Sequence, residues 1–300
     1  MVALTNTWKQ KEDTSPCLFR SKQDSIITGR RHNIVRGVEE FAMTESAYVD
    51  DAAFLFSSRE IAEHDTLQIM KHCAEWGMEV HSGITETLDV KGKTSKTELL
   101  FVEKPSHTEL TNLSPIILEE GRFIPVVNKF YYLGSIINHD LRESEDIDSH
   151  IKKVSQAFWA LRRGVFTSKS TSFNVIKAVY AALILSVLLH GAEAWSLTET
   201  EMNRLRCFHV QCVRKMCRIN RFQTWKKRIS NTQLLNDLKL KQIETYIDQR
   251  QMRRAGHVAR MPWNRLHQNI LTAWCNSKIP KVANQMTYER NLKKFSKEGT

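Results

Sequence analysis

No stretch of this 300-residue chain is long and apolar enough to cross a bilayer. A membrane helix needs about 20 apolar residues in a row. The longest apolar run here, Ala178 to Leu189, is shorter and predicts a buried helix. The opening residues, MVALTNTWKQKEDTSPC, carry no apolar core, so no secretory signal is expected. A disulfide framework is also missing. Cys17, Cys73, Cys207, Cys212, Cys217 and Cys275 show no framework spacing, which predicts reduced thiols in an intracellular compartment. There is no glycine-rich phosphate loop, no Ser/His/Asp constellation and no internal repeat. P-loop nucleotide chemistry, triad hydrolysis and solenoid architecture are therefore not expected.

Acidic residues are scarce in one place. Between Asn203 and Arg260 fifteen Lys and Arg stand against three acids, enough to account for the whole net charge of +11. Such a local excess favours a polyanionic partner, and nucleic acid is the first candidate because each neutralised phosphate releases counterions. Phe208, Phe222, Trp225 and Tyr246 interleave the cations and could stack on bases, or could equally belong to the core beneath a solvated face.

The spacing of apolar residues predicts an α+β N-terminal part followed by a mainly α-helical C-terminal region. Residues 37–57 hold two short apolar segments on either side of Val49-Asp50-Asp51, the pattern of a β-hairpin with an acidic tip. Ser57 as N-cap with Glu60 three positions on predicts a helix to about Trp76, ended by Gly77. Strands are expected over 98–102, 116–118, 123–127 and 130–137. Beyond about residue 143, Ile147, Ile151, Val154, Phe158 and Leu161 form a helical core stripe. Further helices are expected over 172–189, after a Thr198–Glu201 capping box, and from Lys241 to about Met261.

Adjacent aspartates at a hairpin tip repel each other unless a cation joins them. Mg²⁺ suits one or two carboxylates completed by phosphate oxygens. Asp50 and Asp51 are therefore the candidate catalytic and metal-binding pair, although an ordinary acidic turn has the same composition. Cys207, Cys212 and Cys217 are five apart, a step that turns each thiol away from the last, so they are expected in or near the core rather than on zinc. His190 follows an apolar run, which suits a packed histidine.

The Tyr48-Val49-Asp50-Asp51 stretch, followed by Ala52-Ala53-Phe54-Leu55-Phe56, resembles the catalytic hairpin of reverse transcriptases of LINE-type (non-LTR) retrotransposons. Four further segments resemble that family in order. Trp76-Gly77-Met78-Glu79-Val80-His81 with Lys96-Thr97-Glu98 resembles the next polymerase motif, with a wider gap than most elements have. Phe130-Tyr131-Tyr132-Leu133-Gly134 resembles the F-x-Y-L-G primer grip. Leu188 to Trp195 resembles the LLYGxExW segment, with His190 where Tyr is usual. Arg253 to Met261 resembles the R-x-x-GHVxRM segment.

The resemblance implies a partial palm over 37–142, thumb-like helices over 143–200 and a basic helical domain over 201–278. A poorly ordered lead-in (1–36) and a loose tail (279–300) would flank them. It implies Mg²⁺ as cofactor, an RNA template, a DNA primer and dNTPs as partners, and no membrane. Tyr48, Lys96, Phe130, Tyr132, Leu133 and Gly134 would contact substrate or primer. The cations expected on nucleic acid are Arg214, Lys215, Arg218, Lys226, Lys227, Arg228, Arg253 and Arg254. The family's third metal carboxylate lies on an upstream strand. Of the 47 residues before Tyr48, only Asp13 and Asp24 are aspartates, and neither sits in an apolar strand. The fingers have no counterpart either. The chain alone is thus expected to be inactive, unless another polypeptide supplies the missing part. The alternative is a non-catalytic RNA- or DNA-binding protein of retroelement descent.

Overall fold

A computed structural model describes residues 17–22, 38–43, 45–48, 51–84, 95–102, 114–118, 121–219, 222, 226, 228–262 and 265–274. The architecture is mixed helix and sheet. The chain divides into two compact units, residues 1–128 with 258–281, and residues 129–257 with 282–300. The change of pattern at 142/143 is therefore not the structural division. The hairpin before it belongs with the helices that follow, and the end of the basic region belongs with the first unit.

In the first unit, β1 (Cys17–Lys22) pairs antiparallel with β2 (Val38–Met43) and β12 (Ala273–Trp274). Residues 17–22, expected in a poorly ordered lead-in, are thus a strand. β3 (Glu45–Tyr48) and β4 (Asp51–Phe54) pair antiparallel, with Tyr48 opposite Asp51. Helix α1 (Arg59–Glu75) starts one residue later than expected. Its N-cap is Ser58, whose hydroxyl accepts the Ile61 N–H at 3.3 Å. Ile61 at the third position cannot close a capping box, so Glu60 plays a different part. Its carboxyl is held below the usual range by its own backbone amide and by Ser58. Gly77, at φ +70°, ends the helix, donating to the Ala74 carbonyl while Met78 donates to Cys73.

Small strands complete this unit. β5 (Gly83–Ile84), β8 (Arg122–Ile124) and β7 (Ile116–Ile117) form one antiparallel sheet, and β6 (Leu99–Leu100) runs parallel to β9 (Val126–Val127). The strand expected over 123–127 breaks at Pro125, which has no N–H for a ladder; its carbonyl still accepts from Leu99 at 2.9 Å. A Cβ on Gly83 would lie 2.5 Å from the Phe123 ring, so any other residue there would displace that buried ring. Ile116, Leu118 and Ile124 form a core with Leu67 and Met70 of α1 and Leu99.

The second unit opens with a hairpin of β10 (Lys129–Tyr132) and β11 (Ser135–Asn138). Leu133 (φ 47°) and Gly134 (φ 90°) make its two-residue turn. Positive φ at both positions is the mark of a type I′ turn, whose twist matches paired strands. Helix α2 (Ser144–Leu161) buries Ile147, Val154 and Phe158, with Ile151 and Leu161 packed beside them, as the stripe predicted. A π-helical turn (Arg162–Phe166) extends it.

The helix expected over 172–189 is interrupted. It consists of α3 (Phe173–Val179), a π-helical turn (Tyr180–Leu185) and α4 (Ser186–Leu188). Tyr180 is fully buried and its hydroxyl lies 2.7 Å from His209 Nδ1. His209 Nε2 lies 3.1 Å from the Lys241 carbonyl, which can only accept. Nε2 therefore carries the hydrogen and Nδ1 accepts from Tyr180. Burial holds this imidazole below its ordinary pKa.

Helix α5 (Glu199–Met216) has the expected capping box, with Thr198 N–H donating to Glu201 at 2.8 Å. Its inner face is Leu205, His209, Cys212, Val213 and Met216. The short α6 (Asn231–Asp237) is capped by Ser230. Helix α7 (Ile243–Ala259) buries Ile243, Ile247, Gln251 and Ala255, and α8 (Leu266–Thr272) leads into β12. Among the described residues no helix is long and apolar enough to cross a membrane.

Candidate functional site

The acidic hairpin places Tyr48 and Asp51 face to face at the ends of two paired strands, both exposed. Val49 and Asp50 lie outside the described residues. No group of three His, Cys, Asp or Glu side chains that could hold a metal occurs among the described residues. Of the carboxylate pair implied for Mg²⁺, only Asp51 can be placed.

The two pieces of the motif that follows are brought together at one residue. His81 Nδ1 accepts the Lys96 N–H at 3.2 Å, and its carbonyl accepts the Thr97 N–H at 3.2 Å and the Ser95 hydroxyl at 3.1 Å. Ser95 is buried, while the Lys96 side chain is exposed.

The Phe130–Gly134 motif is the first strand and turn of the β10–β11 hairpin. Phe130 and Tyr132 share a face, with ring centroids 6.1 Å apart. This hairpin meets the Leu188–Trp195 segment directly. His190 Nε2 lies 3.1 Å from the Leu133 carbonyl, and a Cβ on Gly134 would come within 3.1 Å of the same nitrogen. Gly191 (φ 76°) faces Ser135 just as closely. Beneath the hairpin, the buried Asp146 of α2 accepts the Ile136 N–H at 2.8 Å and the Trp195 indole N–H at 3.3 Å. Burial pushes its carboxyl up, but the neighbouring His150 and the hydrogen bonds from Ile136 and Trp195 outweigh that and leave it below the usual range. Sequence reasoning missed Asp146 and His150. Their i, i+4 spacing beside the Ile147 stripe was the available signal.

The basic stretch splits into engaged and free cations. Arg214 donates to Asn231 at 2.6 Å, Arg218 to the Thr167 carbonyl at 2.7 Å and Arg250 to the Leu189 carbonyl at 2.8 Å. Arg204 pairs with Asp148, and Arg206 with Glu244. Lys215, Lys226, Arg228, Arg253 and Arg254 are exposed and pair with no described residue; Lys227 and Trp225 lie outside the described set. Phe208 and Tyr246 pack against the core, whereas Phe222 is exposed. Burial raises the Cys212 thiol to about 12 and Cys217 to about 11, so neither is a ready thiolate. Cys207, expected in or near the core, is exposed.

No protein-family model and no solved structure matches the chain. It is similar to a protein of Caenorhabditis elegans described as uncharacterised and transposon-derived. The two are 22% identical over 237 residues, which cover 77% of each chain. The relationship is to transposon-derived sequence. The alignment length requires that it reach beyond either compact unit alone.

Proposed function

We propose that this chain is a reverse-transcriptase fragment of a LINE-type retrotransposon whose helical unit binds RNA or RNA–DNA duplex. The observation that carries this reading is the order of the five motifs along the chain. Two supports come from the fold: the second and third segments that would handle nucleotide and primer each form a closed local structure, and the third docks on the fourth. The transposon-derived relative is in keeping with it.

In this reading Asp50 and Asp51 would bind Mg²⁺, Lys96 would approach the triphosphate, and Phe130 to Gly134 would hold the primer. The reaction would be template-directed nucleotidyl transfer. A third carboxylate would have to come from polypeptide outside these 300 residues, because two carboxylates alone do not fix two metals in line. The test is primer extension on RNA with Mg²⁺ and dNTPs, comparing the chain with Asp50→Ala/Asp51→Ala. Extension abolished by the double substitution establishes polymerase chemistry. Extension that survives it removes the acidic pair from the mechanism.

A second reading, a non-catalytic RNA- or DNA-binding protein, is favoured by the exposed Arg253 and Arg254 on α7. Here extension is absent, and salt-dependent binding is unchanged by the aspartate substitutions.

A further inference from the structure

We propose that Asp146 and His150 form a proton-operated latch that holds the Lys129–Asn138 hairpin on the helical unit, locked when His150 carries two protons and loosened when it loses one. The latch goes beyond the nucleic-acid reading and stands without it.

The argument rests on which atoms can donate. His150 is buried to 2% exposure, and its Nδ1 lies 2.8 Å from the Val187 carbonyl. Its Nε2 lies 3.2 Å from Asp146 Oδ1. A carbonyl and a carboxylate are both acceptors, and a neutral imidazole has a single N–H. With Nδ1–H given to Val187, only the imidazolium sets a positive charge beside the carboxylate. The Nε2 contact is off the line of a hydrogen bond and this nitrogen has no other partner among the described residues, so the contact is ionic. The same Oδ1 accepts the Ile136 N–H of β11, and Oδ2 accepts from Trp195. One buried carboxylate thus joins the hairpin, α2 and the Leu188–Trp195 segment. Removing the His150 proton takes away the positive charge 3.2 Å from Oδ1 and leaves the carboxylate charge unbalanced away from water. That costs more than a surface ion pair would. The Ile136 bond is the one that gives way, because it ties down a hairpin of only two strands, marginal by itself.

The surrounding charges set where this happens. On α2, Asp146 favours the proton and Lys153 opposes it. Glu143, at the α2 N-cap, accepts the Ser196 N–H at 2.9 Å, and Glu201 is held in the α5 cap. From the Leu188–Trp195 segment, the His190 ring stacks 5.9 Å away and Glu193 faces Arg250. The Asp146 contact outweighs burial and places the His150 titration above its ordinary value.

The experiment is hydrogen–deuterium exchange of the full chain between about pH 6 and pH 9, corrected for intrinsic amide rates, since linkage makes a released proton visible as lost protection. Protection of residues 129–138 should fall through a one-proton transition by roughly tenfold, the worth of one charge-assisted bond. Protection of residues 205–213 should stay level, and His150→Gln should remove the transition. Flat hairpin protection in the unaltered chain, or the same transition in His150→Gln, overturns the latch. Should His150→Gln fail to fold, the His150 Cε1–H resonance of the unaltered chain decides. It must titrate at the pH where the hairpin loses protection, and a separate pH refutes the latch.

Discussion

His190 Nε2 sits 3.1 Å from the Leu133 carbonyl and 3.1 Å from the point where a Cβ on Gly134 would stand. A turn and a histidine some distance along the chain are fitted to each other. Gly134→Ala should therefore cost about 1–2 kcal/mol, from positive φ and from displacement of the imidazole. In a His190→Ala background the same change should cost less, because only the backbone strain remains. Equal costs in both backgrounds, measured by denaturant midpoints, would show that the contact is not felt.

Phe158 and Phe166 stack with centroids 4.6 Å apart in the core of the second unit. Phe158→Ala should destabilise that unit by about 3–5 kcal/mol through cavity formation. Far-UV circular dichroism during denaturation reads this directly.

Two buried histidines should bend the pH dependence of stability in opposite directions. His150 has a raised pKa, so its contribution is complete below the unfolded value of about 6.5 and is lost as pH rises through the folded value. His209 has a lowered pKa, so its contribution is complete above about 6.5 and is lost as pH falls toward the folded value. Denaturant midpoints across pH should show an alkaline limb that disappears in His150→Gln and an acid limb that disappears in His209→Gln. Limbs assigned the other way round would refute the tautomers derived from the hydrogen bonds.

Arg253→Ala/Arg254→Ala should weaken binding to an RNA–DNA duplex and lower the salt slope by about one per lost phosphate contact. Its stability should stay within about 0.5 kcal/mol of the unaltered chain, since both side chains are exposed. Arg250→Ala should behave differently. It removes the hydrogen bond to Leu189 and should cost about 1–3 kcal/mol of stability. Undiminished duplex affinity in the double variant would take α7 out of the interface.

The helical region was the most legible part of the sequence. The Ile147–Leu161 stripe and the Thr198–Glu201 box are local signals, and both elements formed where they pointed. The Ser57 cap missed by one residue because adjacent serines offer the same chemistry and only the backbone chooses between them. The π-helical turn at Tyr180–Leu185 was not legible, since the run is apolar throughout and its first residue, Tyr180, bonds His209 on another helix. Charge was only half legible. Composition located the basic stretch, but which arginines turn inward depends on acceptors as distant as Thr167. The Phe130–Gly134 segment was placed with the α+β part by its strand pattern. It falls in the helical unit, where Ile136 donates to a carboxylate on α2, a contact no strand pattern records.

His81 fastens Ser95, Lys96 and Thr97 from the far end of the chain that separates them. The positions of Lys96 and of the strand after it are thus insulated from the span between. This clasp marks a site where a lineage could gain or lose residues, or an experimenter could insert a tag, while the flanking register stays in place.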